Sequence, residues 1–448
     1  IRAMQTTSLF PGTEVAVPTC GGAGVNDNRF AAPRVRRPDR QQTTLEPCCL
    51  EDRLPADHPA RTVWKVVERL DLSLFHAAIA ARGSDPGRAA TDPRLLVALW
   101  LYAAVEGVGN GRELDRLCRE HDAYRWLCGG VSMNYHTLND FRVGHAEAVD
   151  DLFTKVLAAL MCHDVVKVNR VSQDGTRVRA SAGRSSFRRK GRIEAFLTEA
   201  KAHIEVLKKQ AEEAPEESAR KHAAQERAAR ERQERLEAAL AAFPQIEEIK
   251  ARQRNDKPSK HQEPRVSITD SEARKMKMGN GGFDPAYNVQ IAADTESRAI
   301  VAIEVTNHGC DSGEDGPLRE QVQRRTGKMP KEHLLDGGYL NRNAIEQASQ
   351  EGVAVYVPLS PTAGKGEICT EHKDDPPGVA AWRKRMTSEE GKTIYKLRAS
   401  TSETVNADLK AFRGLHAFTV RGLAKVRCVA LWSALAYNVM HFATVLVT

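Results

Sequence analysis

Along the first sixty residues apolar and polar positions follow no sustained period, and Pro, Gly, Arg and Thr are frequent. This predicts a mostly disordered or loosely attached arm, residues 1–60, in which Arg34, Arg36 and Arg37 are candidate phosphate contacts. From residue 61 a helical pattern sets in. Asp92-Pro93 offers a capping side chain and a proline suited to a first turn, and Leu95, Leu96, Leu99, Trp100 and Tyr102 then line an apolar face. Gly107, Gly109 and Gly111 break that helix. Residues 112–121 resume it with Leu114, Leu117 and Cys118 inward, and Gly129-Gly130 marks a turn before residues 135–142.

The texture changes at Val165. Val165, Val166, Val168 and Val171 form a β-branched run that closes on Asp174-Gly175, as a strand ending in a turn does. Residues 287–293 and 299–306 predict a hairpin. A helix at 313–326, a short strand at 333–335, a helix at 343–350 and a strand at 353–357 follow. Strand, hairpin, then alternating helix and strand make a mixed α/β sheet. A charged insert, residues 188–260, separates the first strand from the hairpin. Ile193, Leu197, Ala200, Ile204 and Leu207 alternate spacings of four and three, Pro215 interrupts, and Ala229, Leu236 and Phe243 fall at sevens. These are the stripes of two antiparallel helices. Residues 428–447 are mostly apolar, but Asn438 and His441 lie among them and Arg421, Lys425 and Arg427 lead in. This predicts a buried C-terminal helix rather than a membrane span.

A chain of 448 residues with 41% hydrophobic positions suffices for several domains. Its formal charge of +7 is a mild excess that favours a polyanionic partner without establishing one. The nine cysteines include no CxxC pair, which argues against a zinc module or a disulfide framework and suits a reducing cytoplasm. Residues 1–30 hold no charged segment followed by an apolar stretch, so no signal peptide is expected. With Ile1 in place of a start methionine, the numbering begins upstream of a start such as Met4 or within a fragment. The short helices of residues 61–151 fit either a helix-turn-helix reader of DNA or a plain helical bundle.

Two aspartates stand out. Asp174 and Asp336 each follow an apolar strand and precede glycine. Asp-Gly is ordinary turn chemistry. Yet a carboxylate at the edge of a buried sheet is costly unless hydrogen-bonded or holding a cation, and two in one α/β domain are a stronger signal. Carboxylate oxygens are the hard ligands that Mg²⁺ or Mn²⁺ prefers. Two such ions roughly 3.5–4 Å apart activate a water and stabilise the leaving oxygen of a phosphodiester. His308 with Cys310, and Cys162 with His163, lack the remaining ligands of a metal site.

The run Val171-Ser172-Gln173-Asp174-Gly175-Thr176-Arg177-Val178-Arg179-Ala180, the box Leu335-Asp336-Gly337-Gly338-Tyr339 and the triplet Asn288-Val289-Gln290 resemble DDE transposases of bacterial insertion sequences. The nearest branch is the family numbered eleven-eighty-two, which carries a helical insert at this place. Leu101-Tyr102, Gly107, Arg112-Glu113-Leu114 and Phe141-Arg142 resemble its N-terminal helical domain. Residues 421–427 with Ala436-Tyr437-Asn438 resemble its C-terminal part, so the likeness runs from about residue 90 to 445.

The resemblance implies a ribonuclease-H-like catalytic domain in which three carboxylates bind two divalent ions, Mg²⁺ or Mn²⁺. Hydrolysis at the transposon ends is followed by attack of the freed 3′-hydroxyl on target DNA. Asp174 is then the first-strand ligand bridging both ions, Asp336 the fourth-strand ligand, and Glu403 the third carboxylate, on a helix. Tyr395, Arg398, Glu403 and Lys410 resemble a Tyr-Arg-Glu-Lys signature. Three residues separate its Arg from its Glu in relatives, whereas four separate Arg398 from Glu403 here. Six separate Glu403 from Lys410, which puts both on one helix face. Ser400-x-x-Glu403 also fits a capping box. Of the rival acids, Asp408 faces away by helical geometry, and Glu389-Glu390 beside Gly391 reads as a solvated loop. Arg398 and Lys410 are expected on DNA phosphate near the active site, and Arg112 and Arg142 on DNA in the helical domain.

The expectation is an α/β protein: a ribonuclease-H-like mixed-sheet catalytic domain, residues 164–412, with an inserted helical hairpin at 188–260. An all-α DNA-binding domain, 61–151, precedes it, and a C-terminal helical cover, 413–448, follows. Expected partners are double-stranded DNA, as transposon ends and target, and further copies of the chain as a dimer or higher oligomer on DNA. No membrane is expected, and the location is the bacterial cytoplasm with the nucleoid. Two rival readings remain: a metal-dependent nuclease of the same fold that cuts without joining, and an inactive remnant that still binds DNA.

Overall fold

The structure is a computed structural model, and it describes residues 5–10, 13–17, 49–81, 89–213, 219–252, 263–359 and 374–448. The chain divides into two units, residues 1–48 and 49–448. In the first, strands β1 (Gln5–Phe10) and β2 (Thr13–Val17) pair antiparallel. Arg34, Arg36 and Arg37 lie outside the described residues.

The second unit starts earlier than residue 61. A 3₁₀ turn at Glu51–Arg53 is pinned by Glu51, which accepts from Trp126 Nε1 at 2.9 Å and pairs with Arg61. Helices α1 (Pro59–Arg69), α2 (Ser73–Ala77), α3 (Pro93–Val105), α4 (Gly111–Glu120), α5 (Asp122–Cys128), α6 (Tyr135–Gly144) and α7 (Ala146–Cys162) follow. Asp92 caps α3 by accepting from the Arg94 N–H at 2.8 Å, and Pro93 opens its first turn. The helix is buried on every side from Leu95 to Ala104, which makes it the central rod of this part. Gly107, at φ +70°, follows its end, and a side chain there would press on the Phe412 carbonyl.

The sheet is mixed. Strands β3 (Arg170–Arg179), β6 (Arg274–Lys277), β7 (Phe283–Asp294), β8 (Ile300–Thr306), β9 (Glu332–Leu335) and β10 (Ala354–Tyr356) run in the order β10-β9-β3-β7-β6, and β8 also pairs with β7. β10, β9 and β3 are parallel neighbours, whereas β3, β6 and β8 each pair antiparallel with β7. The valine run does not end in a turn at Asp174-Gly175. β3 begins at Arg170 and passes through both residues to Arg179, because β7 pairs with it from Val171 onward. Only the parallel partner leaves early: β9 faces Arg170 to Gln173 and stops at Leu335.

β4 (Phe187–Arg188) and β5 (Val266–Ser267) pair antiparallel at the base of the insert. Above them stand α8 (Lys190–Glu213), α9 (Ala219–Ala241) and α10 (Phe243–Arg252). Ile193 shares a core with Phe243 and Ile246, while Ile204 and Leu207 meet Ala229, so α8 and α9 run antiparallel as the heptad stripes require. Pro215 and residues 253–260 lie outside the described residues.

Helices α11 (Asp315–Thr326), α12 (Arg342–Gln350), α13 (Pro377–Thr387), α14 (Glu389–Arg398), α15 (Thr404–Ala411), α16 (Leu423–His441) and α17 (Ala443–Leu446) complete the unit. α16 is buried along most of its length. Its Asn438 accepts from the Ile300 N–H at 2.9 Å and donates to the Ile300 carbonyl at 2.8 Å, so a buried amide completes the start of β8. One continuous apolar core takes in Leu99 and Trp100 of α3, Phe153 of α7, Tyr287 of β7, Ile303 of β8 and Trp432 of α16. The three stretches expected as separate domains therefore share a core through α16. A smaller core joins Leu335, Ile345, Val355 and Trp382 behind β9 and β10. Among the described residues no helix is long and apolar enough to cross a membrane.

Candidate active site where β3 and β9 part

β3 and β9 are paired through Gln173 and Leu335, so the next residues, Asp174 and Asp336, stand level on adjacent parallel strands. Asp336 is exposed and caps a 3₁₀ turn at Gly337–Tyr339, accepting from the Gly337 N–H at 2.6 Å. Asp174 is more enclosed, with 21% of its side chain exposed. It accepts from the Gly175 N–H at 2.9 Å and from Asn406 Nδ2 at 3.1 Å, and Arg398 Nη1 lies 3.9 Å away. Burial pushes the Asp174 carboxyl up to about 6; the Arg398 guanidinium opposes the rise, and the charges of Asp336 and Asp311 add to it.

Residues 389–411 form one continuous helical run: α14, a π-helical turn at Ala399–Glu403, and α15. Glu389 and Glu390 therefore open a helix instead of lying in a loop; Ser388 Oγ caps it, accepting from the Gly391 N–H at 3.0 Å. The capping box at Ser400 does not form, since Glu403 is mid-run and Ser400 Oγ donates to the Leu397 carbonyl at 3.1 Å. The wide turn also explains the irregular signature. A π turn takes in one more residue than an α turn, so a four-residue gap still returns Glu403 to the side of Arg398. Arg398 Nη2 lies 3.8 Å from Glu403 Oε1 while Nη1 faces Asp174, which places the guanidinium between the two carboxylates. Ser402 Oγ meets Ser172 Oγ at 2.6 Å in a buried contact that fastens the π turn to β3.

Lys410 is partly buried near Asp174; burial pulls its ammonium below the usual lysine range, Asp174 opposes that, and Arg177 adds to it. Glu403 is open, with 66% of its side chain exposed. Asp408 turns away to Arg413 at 2.9 Å and His441 at 3.4 Å.

Beneath the aspartates lies a polar layer. Asp311, in the loop after β8, accepts from Asn288 Nδ2 at 2.7 Å, Gln290 Nε2 at 2.9 Å and Arg177 Nη2 at 2.9 Å. Gln290 also accepts from Gln173 Nε2 at 2.9 Å and from the Tyr339 hydroxyl. Asp311 and Asn406 escape sequence reasoning. The available signal was two amides, Asn288 and Gln290, two apart on one face of an otherwise buried strand, where each needs a polar partner.

The two arginines of the helical part diverge. Arg112 is exposed, stacks 5.0 Å over the Tyr135 ring and lines a groove with Arg421 and Lys425. Arg142 is buried: its guanidinium donates to the Gly109 carbonyl at 2.7 Å and lies 4.4 Å over the Trp100 ring. Burial brings its pKa down to about 10, with Cys428 opposing the fall. It packs against the core at the edge of the groove that Arg112, Arg421 and Lys425 line, and is far less exposed than Arg112.

Among the described residues no three His, Cys, Asp or Glu side chains converge closely enough, as placed, to hold a metal ion together. The donor chemistry nevertheless suits a hard cation. Asp174 and Asp336 repel each other, and Asn406 Oδ1 is buried without a hydrogen-bond partner on the same amide that binds Asp174. His308 is tied to Glu314 Oε1 at 2.6 Å.

Residues 48–143, α1 to α6, match the family described as "Transposase domain (DUF772)", and residues 370–443 match the "Transposase DDE domain", with Arg398, Glu403 and Lys410 inside it. Both matches are to transposase families, and together they support a DDE transposase. The two matches fall in the chain order expected from the sequence. Neither reaches residues 144–369, so Asp174, Asp311 and Asp336 stand on geometry alone. No curated protein and no solved structure matches the chain.

Proposed function

We propose that the transposase cuts and joins DNA at insertion-sequence ends, with Asp174, Asp336 and Glu403 holding two Mg²⁺ or Mn²⁺ ions on a ribonuclease-H-like core. The observation that carries the reading is the level placement of Asp174 and Asp336 where β3 and β9 separate, with the Arg398–Glu403 turn fastened beside them. Ions bound there supply charge to activate a water or a 3′-hydroxyl and to stabilise the leaving oxygen of a phosphodiester.

The chain's own groups do the rest. Asp174, held by Gly175 and Asn406, keeps a fixed orientation at the centre. Glu403, exposed and only loosely paired to Arg398 at 3.8 Å, turns toward Asp174 to complete the set. Arg398 then gives up its two carboxylates and meets a DNA phosphate, and Lys410 presents a second cation from the same side. Arg112, with Arg421 and Lys425, binds the DNA backbone outside the active site, and further copies of the chain assemble on the DNA. The insert α8–α10 supports the narrower placement in insertion-sequence family eleven-eighty-two.

The test is a reaction of the transposase with labelled ends of its own element and a plasmid target in Mg²⁺. Cleaved ends should appear and then become joined to the plasmid. Cleavage without joining would replace the reading with a nuclease, and end binding without cleavage would replace it with a DNA-binding remnant.

A further inference from the structure

Asp311 lies where the two catalytic strands part, yet its own hydrogen bonds leave it little room to act as a metal ligand. Its Oδ1 accepts from both Asn288 and Gln290, and its Oδ2 accepts from Arg177. Only 12% of the side chain is exposed. A Cβ on Gly175 would collide with Asp311 Oδ1, and one on Gly338 would lie 3.4 Å from Oδ2. The carboxylate therefore rests against both glycines that follow the catalytic aspartates, in the Asp174-Gly175 and Asp336-Gly337-Gly338 segments. This supplies a physical reason for glycine at 175: the strand is regular there, and the missing side chain is the space Asp311 fills. Asn288 and Gln173 are fully buried, and one oxygen of each lacks a hydrogen-bond partner; the side chains of the layer are joined through Asp311 and Gln290, with Gln173 also donating to the Glu314 carbonyl at 3.1 Å.

We propose that Asp311 is a positioning residue that sets the spacing of Asp174 and Asp336 from below and adds a fixed negative charge behind them, without touching a bound cation. The inference rests on the metal-site reading given above. Groups one layer behind the ligands orient them, and their loss lowers metal affinity roughly 10- to 100-fold. A ligand's loss, by contrast, is not repaired by more metal.

The experiment measures Mn²⁺ binding to the full chain by calorimetry, without DNA, for the parent, Asp311→Ser, Gln290→Ala and Asp174→Asn, with a thermal melt of each. Serine removes the charge without placing an amide donor against Asn288 and Arg177. Asp311→Ser should melt as one folded protein, bind Mn²⁺ about 10- to 100-fold more weakly, and regain end cleavage at saturating Mn²⁺. Gln290→Ala, which keeps the Asp311 charge but removes one donor, should weaken binding severalfold. Unchanged affinity in Asp311→Ser overturns the proposal. Loss of cleavage that saturating Mn²⁺ does not restore also overturns it, by making Asp311 a ligand. No Mn²⁺ binding by the parent, or parent-like binding by Asp174→Asn, overturns the metal-site reading itself and the inference with it.

Discussion

Asp174→Asn should relieve the metal-free protein of a destabilisation that grows with pH, while removing its activity. The carboxyl is raised to about 6 by burial, against a usual value near 3.9, with Arg398 unable to offset the loss of water. Each tenfold change in proton affinity is worth about 1.4 kcal/mol, so ionised Asp174 costs the fold roughly 3 kcal/mol. The sign follows from linkage. The folded protein holds this proton more tightly than the unfolded chain, so stability falls as pH rises from about 4 to about 6 and stays lower above that. Asparagine has no proton to lose there; its one amide oxygen keeps the bond from Asn406 Nδ2 and gives up the one from the Gly175 N–H, a loss that does not depend on pH. Urea unfolding with a chelator present, at pH 4 and pH 7.5, reads the difference. The stability of the variant relative to the parent should rise by roughly 2–3 kcal/mol between pH 4 and pH 7.5. An offset equal at both pH values, or one that falls as pH rises, refutes the reasoning.

Ser402→Ala strands the buried Ser172 hydroxyl that fastens the π turn to β3, and should cost about 1–3 kcal/mol by thermal or urea unfolding; an unchanged midpoint would mean that the contact contributes nothing. Arg112→Ala should weaken binding to end DNA and lower the salt slope by about one, with stability intact. Arg142→Ala should instead destabilise the fold, since the core loses the buried guanidinium that packs on the Trp100 ring and bonds the Gly109 carbonyl; a well-folded Arg142→Ala with selectively weak DNA binding would reverse these two roles.

Much of the fold was legible because burial imposes a period. The hairpin β7–β8, the helix before β9 and the antiparallel insert each follow from side chains that repeat at two, or at three and four. The misreadings share one cause: a local pattern whose meaning is set from far along the chain. Asp174-Gly175 reads as a turn, but β7 carries the strand through it and Asp311 fills the place of the missing side chain. Arg142 reads as a surface cation, and only the ring of Trp100 and the carbonyl of Gly109 show that it is buried. The extra residue between Arg398 and Glu403 was visible as a spacing, but its accommodation by a π turn depends on Ser402 reaching Ser172, 230 residues away. Asp311 left no periodic trace, because its partners are two amides on β7 and an arginine on β3.

The central claim is that Asp174, Asp336 and Glu403 act together on a phosphodiester. The most direct test is nicking of a labelled insertion-sequence end in Mg²⁺ by the parent, Asp174→Asn, Asp336→Asn and Glu403→Gln, each shown by a gel shift to bind that end. The account predicts end binding by all four and nicking by the parent alone, with partial recovery of Glu403→Gln in Mn²⁺. Near-parental nicking in Mg²⁺ by any one of the three variants would contradict it.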